Sequence, residues 1–318
     1  NMPFLYEKYD ILSKRIDKNI PLSVSNNLTP RFLIRDYQKE AFARFFDYMD
    51  NYDEKTHPIH LMYNMATGSG KTFIMAWLIL YLYEQWYRNF LFFVHSSNII
   101  EKTKANFLDS TSSKYLFADK IVINDKLVNI REVTNFSSQE SDDIAIKFTT
   151  IQWLHSDMNN PKENSVSYED FEDQKIVLIS DEAHHINADT KKWKLTKAEK
   201  EAKRSREFTV NKILHSNRDN IMLEFTATID FADENIVDKY RDKILYKYDL
   251  KEFRIDQYSK EVELFKSDTN KKERILQALI VSQYRLKIAE KYKIYCKPVI
   301  LFKSKRTIAE SEENMSFF

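Results

Sequence analysis

Apolar positions along this chain gather into short runs, and stretches with a helical period lie between them. "IHLMYNM" (59–65), "FLFFVHS" (90–96), "IAIKFTTI" (144–151), "KIVLISDEAHH" (175–185) and "NIMLEFTAT" (220–228) each predict a buried strand. "RDYQKEAFARFFDYMD" sets Tyr37, Ala41, Phe45, Tyr48 and Met49 near one helical stripe, and "NIIEKTKANFL" also reads as a helix. "FIMAWLILYLY" (73–83) is apolar on every side, which predicts a helix enclosed between a sheet and other helices. Short strands alternating with helices predict an α/β fold with a mostly parallel central sheet and helices on both faces.

The two ends of the chain read differently. Residues 1–30, punctuated by Pro3, Pro21 and Pro30, predict a tail with one short helix in "YEKYDILSKRIDKN". The sheet-forming pattern then occupies 31–230. A largely helical connector is expected over 231–297, with "NKKERILQALIVSQYRLKIAEKYKIY" (270–295) its longest helix. Pro298 introduces "VILFKSK", which predicts the first strand of a second, truncated α/β domain over 298–318.

Charge narrows the partners only slightly. Lys+Arg 49 against Asp+Glu 48 gives a net charge of +1, so any contact with nucleic acid must come from local patches. One such patch is "TKKWKLTKAEKEAKRSR" (190–206), a basic insertion that is either a solvated helical hairpin or an arm against duplex phosphates. Cys296 is the single cysteine, which excludes an intrachain disulfide and fits a reducing, cytoplasmic compartment. The apolar run 73–83 falls well short of the ~20 residues a membrane-spanning helix needs, so no membrane role is expected.

Candidate chemistry sits at the ends of the strands. HSS, TTIQ, SDEAHH and TAT all follow apolar runs, and in a parallel sheet they converge on the carboxyl edge, where ligands bind. Both glycines of the chain, Gly68 and Gly70, fall in "MATGSGKT" (65–72), between a predicted strand and a predicted helix. This is a phosphate loop, with Met65 where the general signature has its first glycine. Lys71 would reach the β- and γ-phosphates of a nucleoside triphosphate, and the Thr72 hydroxyl would ligate Mg²⁺. Asp181 and Glu182, at the end of another strand, supply a carboxylate that can hold Mg²⁺ through water and a carboxylate that polarises the attacking water. His184 and His185 also admit a zinc reading.

The ordered words "RDYQ", "MATGSGKT", "FFVHSSNIIEKTKANF", "FTTIQWL", "ISDEAHH" and "FTAT" resemble the motor motifs of superfamily 2 helicases and translocases. "DEAHHINADTKK", "MLEFTATI" and "VILFKSKRTIAESEE" are most similar to the restriction subunit of type III restriction–modification enzymes. The resemblance implies a RecA-like first domain that binds ATP and Mg²⁺, with duplex DNA and a modification (methyltransferase) subunit as partners. By matching position, Gln38 would read the adenine, and Ala66, Thr67, Gly68, Ser69, Gly70, Lys71 and Thr72 would cradle the phosphates. Asp181 and Glu182 would be catalytic with Lys71. His184, His185, Thr226 and Thr228 would couple nucleotide state to DNA grip, and Ser96, Ser97, Thr149, Thr150 and Gln152 would touch the nucleic-acid backbone. A second RecA-like lobe supplies arginines in such motors, so this chain alone is expected to hydrolyse ATP poorly. Competing readings are another superfamily 2 DNA or RNA motor, separated by its preference for DNA or RNA, and a nucleotide-binding regulator. A pure sensor has little need of Glu182.

Overall fold

All five apolar runs predicted as strands pair as strands. The computed structural model describes residues 3–136, 142–160, 168–172, 174–182, 197–259, 270–302 and 312. Two compact units divide the chain, Asn1–Lys260 and Glu261–Phe318. The first begins with α1 (Leu5–Leu12), α2 (Leu22–Ser25), α3 (Asp36–Asn51), β1 (Ile59–Met65), α4 (Lys71–Glu84), β2 (Asn89–Val94) and α5 (Ser97–Phe107). It continues through β3 (Ile121–Ile123), β4 (Lys126–Val128), β5 (Ile130–Glu132), β6 (Ile144–Thr150), α6 (Ile151–Asn159), α7 (Glu169–Glu172) and β7 (Ile176–Asp181). It closes with α8 (Lys197–Leu214), β8 (Ile221–Thr226), α9 (Glu234–Tyr240), β9 (Ile244–Tyr248) and α10 (Leu250–Ile255). The second unit holds α11 (Lys271–Lys291), whose first turn is capped by the Asn270 side chain.

Among the described residues, seven strands form one sheet in the order β5-β6-β2-β7-β8-β1-β9, every pair parallel. β3 and β4 make a separate antiparallel hairpin turned by Asn124 and Asp125, both with positive φ. Strand period then decides the layers. Phe90, Phe92 and Val94 of β2 join the core under α3, α4 and α5, while Leu91 and Phe93 join the core under α6 and α8. Helices therefore cover both faces, as the alternation predicts.

α4 explains its own composition. Every residue from Phe73 to Tyr83 is buried, and Trp77 is wholly enclosed. Phe42 of α3 meets Trp77 and Tyr81 edge-on, with ring centroids 5.8 and 5.9 Å apart. Each large apolar side chain so buried contributes roughly 1.5–3 kcal/mol. Since the chain has so little glycine, Trp86 (φ 66°) and Gln257 (φ 62°) take the left-handed position just past α4 and α10. The amides that follow close each end by bonding back, Tyr87 to Leu82 and Tyr258 to Phe253.

Three boundaries differ from expectation. Residues 3–30 pack into the first unit: Leu5, Tyr9, Val24 and Leu28 are buried. Arg44, itself buried, reaches from α3 to Asp10 and holds Glu40, each at 2.6 Å. The sheet also continues past residue 230, because β9 pairs with β1 as an edge strand. Its alternation is only five residues long, too brief to stand out from the helical pattern around it. Residues 299–302, where the chain-end strand is predicted, have no strand pairing, and 303–311 lie outside the described residues. Among the described residues, no helix is long and apolar enough to cross a membrane.

Candidate active site

β1, β8 and β7 lie side by side, so one strand separates the loop after β1 from the carboxylates at the end of β7. At about 4.8 Å per strand, the two are about 10 Å apart across the sheet, a span a triphosphate and its metal can bridge.

The loop after β1 is built for a close ligand. Gly68 and Gly70 have φ of 81° and 84°, the left-handed region. Trp86 and Gln257 show that this chain fills such dihedrals with other residues, so the dihedral alone does not account for the glycines. At Gly70 a β-carbon would run into the Gln38 amide; at Gly68 it would project into open cleft. Tyr37 Oη and Gln38 Nε2 both donate to the Ser69 carbonyl at 2.9 Å, which locks the loop against α3. Gln38 Oε1 accepts from the Arg35 amide at 3.0 Å. The Gln38 amide keeps one N–H and one lone pair in reserve, the pair that an adenine N7 and N6 amino group require.

Lys71 opens α4 and is 8% exposed. Its Nζ donates to the carbonyls of Met65 and Ala66, at 3.3 and 3.4 Å. These bonds of the ammonium go to neutral carbonyls rather than to a carboxylate, which in a buried position suits it to a bound anion. Among the described residues, the buried Ser69 hydroxyl has no hydrogen-bond partner. Thr67 and Thr72 complete the lining, and Ala66 is buried beneath it. The whole cleft measures about 1170 Å³ and includes Asp181 and Glu182.

Asp181 ends β7. Burial pushes its carboxyl up to about 6, opposed by the charge of Lys71 and aided by that of Glu182. Glu182 has a φ of 58°, uncommon outside glycine, and its amide donates to Asp181 Oδ1 at 3.0 Å. A backbone held there costs on the order of 1–3 kcal/mol, and such strain concentrates at functional positions. The Thr72 hydroxyl and the Asp181 carboxylate are hard oxygen donors of the kind Mg²⁺ takes. With the buried Lys71 and the open Gly68 lining the same cleft, these residues fit Mg²⁺ and a triphosphate.

The raised carboxyl has a stability consequence. The folded-state pKa of Asp181 lies above the unfolded one, so the fold holds an extra proton between about pH 4 and 6 and loses stability as pH rises through that window. The full penalty above it is about 3 kcal/mol. Asp181→Asn is therefore expected to raise the unfolding free energy by up to about 3 kcal/mol at pH 8 and by nothing near pH 4. Urea titration at the two pH values checks this; an equal gain at both would remove the buried charge as its source.

Other predicted residues divide into three groups. His184 and His185 lie outside the described residues, as do 190–196 of the basic insertion; residues 197–206 form the first half of α8. Thr226 is buried, its hydroxyl donating to the Thr228 carbonyl at 3.0 Å, while Thr228 is exposed. The words after β2 and β6 meet: Gln152 Nε2 lies 3.1 Å from His95 Nδ1, and Ser96 and Ser97 open α5 beside them. Thr149 and Thr150 are buried instead, and the Thr150 hydroxyl accepts the Trp153 amide as the cap of α6. Sequence reasoning passed over Arg35, Tyr37 and Tyr258. The first two stand inside "RDYQ", whereas no motif points to Tyr258.

A family described as "Type III restriction enzyme, res subunit" matches residues 31–231, more than half of the chain. The probable type III restriction-modification enzyme HindVIP Res subunit of Haemophilus influenzae is 42% identical over 322 residues. That alignment covers 94% of this chain and 62% of the relative, so the chain spans less than two thirds of the relative's length. Among solved structures, the Hef helicase domain of Pyrococcus furiosus is 14% identical with a TM-score of 0.42, covering 83% of this chain and 43% of that one. The UvsW helicase from bacteriophage T4 is 16% identical with a TM-score of 0.38, covering 66% and 58%. On the family match, and with a phosphate loop and an acidic pair meeting across one parallel sheet, this chain belongs to the type III restriction enzyme res subunit family.

Proposed function

We propose that the cleft binds ATP with Mg²⁺ and that ATP hydrolysis there drives movement or switching on duplex DNA. The observation that carries the reading is Lys71, a buried ammonium held by two carbonyls, facing Asp181 across one intervening strand. Lys71 and the loop amides bind the β- and γ-phosphates. Gln38 takes the adenine edge. Thr72 and Asp181 would hold Mg²⁺, which when bound neutralises charge on the phosphate oxygens. Glu182 orients a water in line with the γ-phosphorus and accepts its proton as the bond to the ADP oxygen breaks.

Family membership supports the macromolecular partners of this reading. The chain acts in this reading as the motor portion of a type III restriction enzyme, a DNA-dependent ATPase working in the cytoplasm beside a methyltransferase subunit. Ser96, Ser97 and Gln152 offer a polar edge for the DNA backbone, and Thr226 and Thr228 link it to the nucleotide. Calorimetric titration of the chain with ATP, with and without Mg²⁺, followed by competition between duplex DNA and duplex RNA, tests this. Saturable Mg²⁺-dependent ATP binding with DNA the stronger competitor is expected. RNA preference would move the chain to another kind of motor, and absence of ATP binding would end the nucleotide reading.

A further inference from the structure

Tyr258 lines the cleft from a part of the chain that the family match, residues 31–231, does not reach. We propose that its ring, with the Arg35 guanidinium stacked on it, is the wall against which the nucleobase of the bound triphosphate lies. The proposal rests on the nucleotide reading above and adds the residue that grips the base.

Four observations converge on this ring. Its neighbours Tyr37 and Phe253 are each 5% exposed, whereas Tyr258 is 42% exposed and open to the cleft. Arg35 Cζ sits 4.4 Å from the Tyr258 centroid, and the Arg35 amide is bonded to Gln38 Oε1, so the stacked pair is tied to the adenine-reading side chain. Tyr37 lies between the ring and the phosphate loop: its centroid is 5.3 Å from that of Tyr258, and its hydroxyl donates to the Ser69 carbonyl. The backbone that carries the ring is fixed, because Gln257 takes the left-handed turn after α10 and the Tyr258 amide bonds back to Phe253 at 3.1 Å.

The chemistry suits a planar heterocycle. A guanidinium on a phenol ring is a flat, weakly hydrated surface, and a purine extends the stack at little entropic cost because both members are already positioned. Stacking on an aromatic side chain discriminates little among bases, so Tyr258 supplies grip while Gln38 supplies the choice of adenine.

The test compares ATP with inorganic tripolyphosphate, which has the phosphates and no base, on wild type, Tyr258→Ala and Tyr258→Phe. Tyr258→Ala is expected to weaken ATP binding about tenfold. Tripolyphosphate binding should stay unchanged and Tyr258→Phe should behave as wild type. Equal weakening of both ligands would mean that the ring only supports the loop, which overturns the proposal. So would wild-type ATP affinity in the alanine variant. If wild type binds neither ligand, the nucleotide reading itself falls and this one falls with it.

Discussion

Glu182→Gln is expected to lower ATP hydrolysis by about 10²–10⁴-fold while leaving ATP binding within about twofold of wild type. The two side chains have the same shape, and Gln257 shows that glutamine sits in the left-handed region in this chain. The fold is thus unchanged by the substitution. What disappears is the carboxylate that, in the proposed reaction, takes the proton of the attacking water. A second effect works in favour of binding: the charge of Glu182 raises the Asp181 carboxyl, so its removal lets Asp181 ionise more readily for Mg²⁺. Single-turnover hydrolysis with radiolabelled ATP, run beside a binding titration, separates the two. Hydrolysis at the wild-type rate would remove Glu182 from the chemistry.

The same residue marks how far the candidate site was legible beforehand. Asp181 and Glu182 are named by a local word, and so are Gly68, Gly70 and Lys71, because phosphate and metal binding demand fixed residue types at fixed spacing. The five main strands were legible for a similar reason. A strand buried on both faces is apolar along most of its length, and such runs have few other uses. β9 escaped because an edge strand of five residues carries too short a pattern, and β5, with three, carries none. Residues 3–30 read as a tail since their contacts are few and individually placed: Leu5, Tyr9 and the ion pair of Asp10 with Arg44. The burial of Thr149 and Thr150 was equally hidden. A hydroxyl that caps a helix and one that touches a phosphate are the same letters in sequence, and only the helix that starts at Ile151 decides between them.

Tyr258 shows what no local pattern can supply. Its place in the cleft depends on β9 pairing with β1 and on α10 turning back, which brings it beside residues more than two hundred positions earlier. Tyr248 reinforces the same wall, stacked on Tyr37 with centroids 4.2 Å apart and bonded through its hydroxyl to Asp256. In the proposed reading, the base end of the cleft is therefore assembled from the start of α3 and the segment after α10. The phosphate end comes from a single strand–loop–helix.

Lys71→Met should weaken ATP binding by about 10²–10³-fold, the usual loss when one member of a buried charge pair is deleted. Methionine keeps most of the aliphatic stem, so the packing at the start of α4 survives. The folded protein without nucleotide loses two bonds to neutral carbonyls and, where Asp181 is ionised, its attraction to Lys71. Below about pH 6, where Asp181 is protonated, thermal stability of the nucleotide-free chain is therefore expected to stay level or rise while ATP affinity collapses. Asp181 responds in the opposite sense, because Lys71 is the group that draws its carboxyl down. In the variant the carboxyl climbs beyond about 6, and the fold then loses stability up to a higher pH than wild type does. A calorimetric titration with ATP and a set of melts from pH 5 to 9 read both effects. If ATP affinity survives, the triphosphate does not lie on Lys71. If it collapses while stability holds, the ammonium is there for the ligand rather than for the fold.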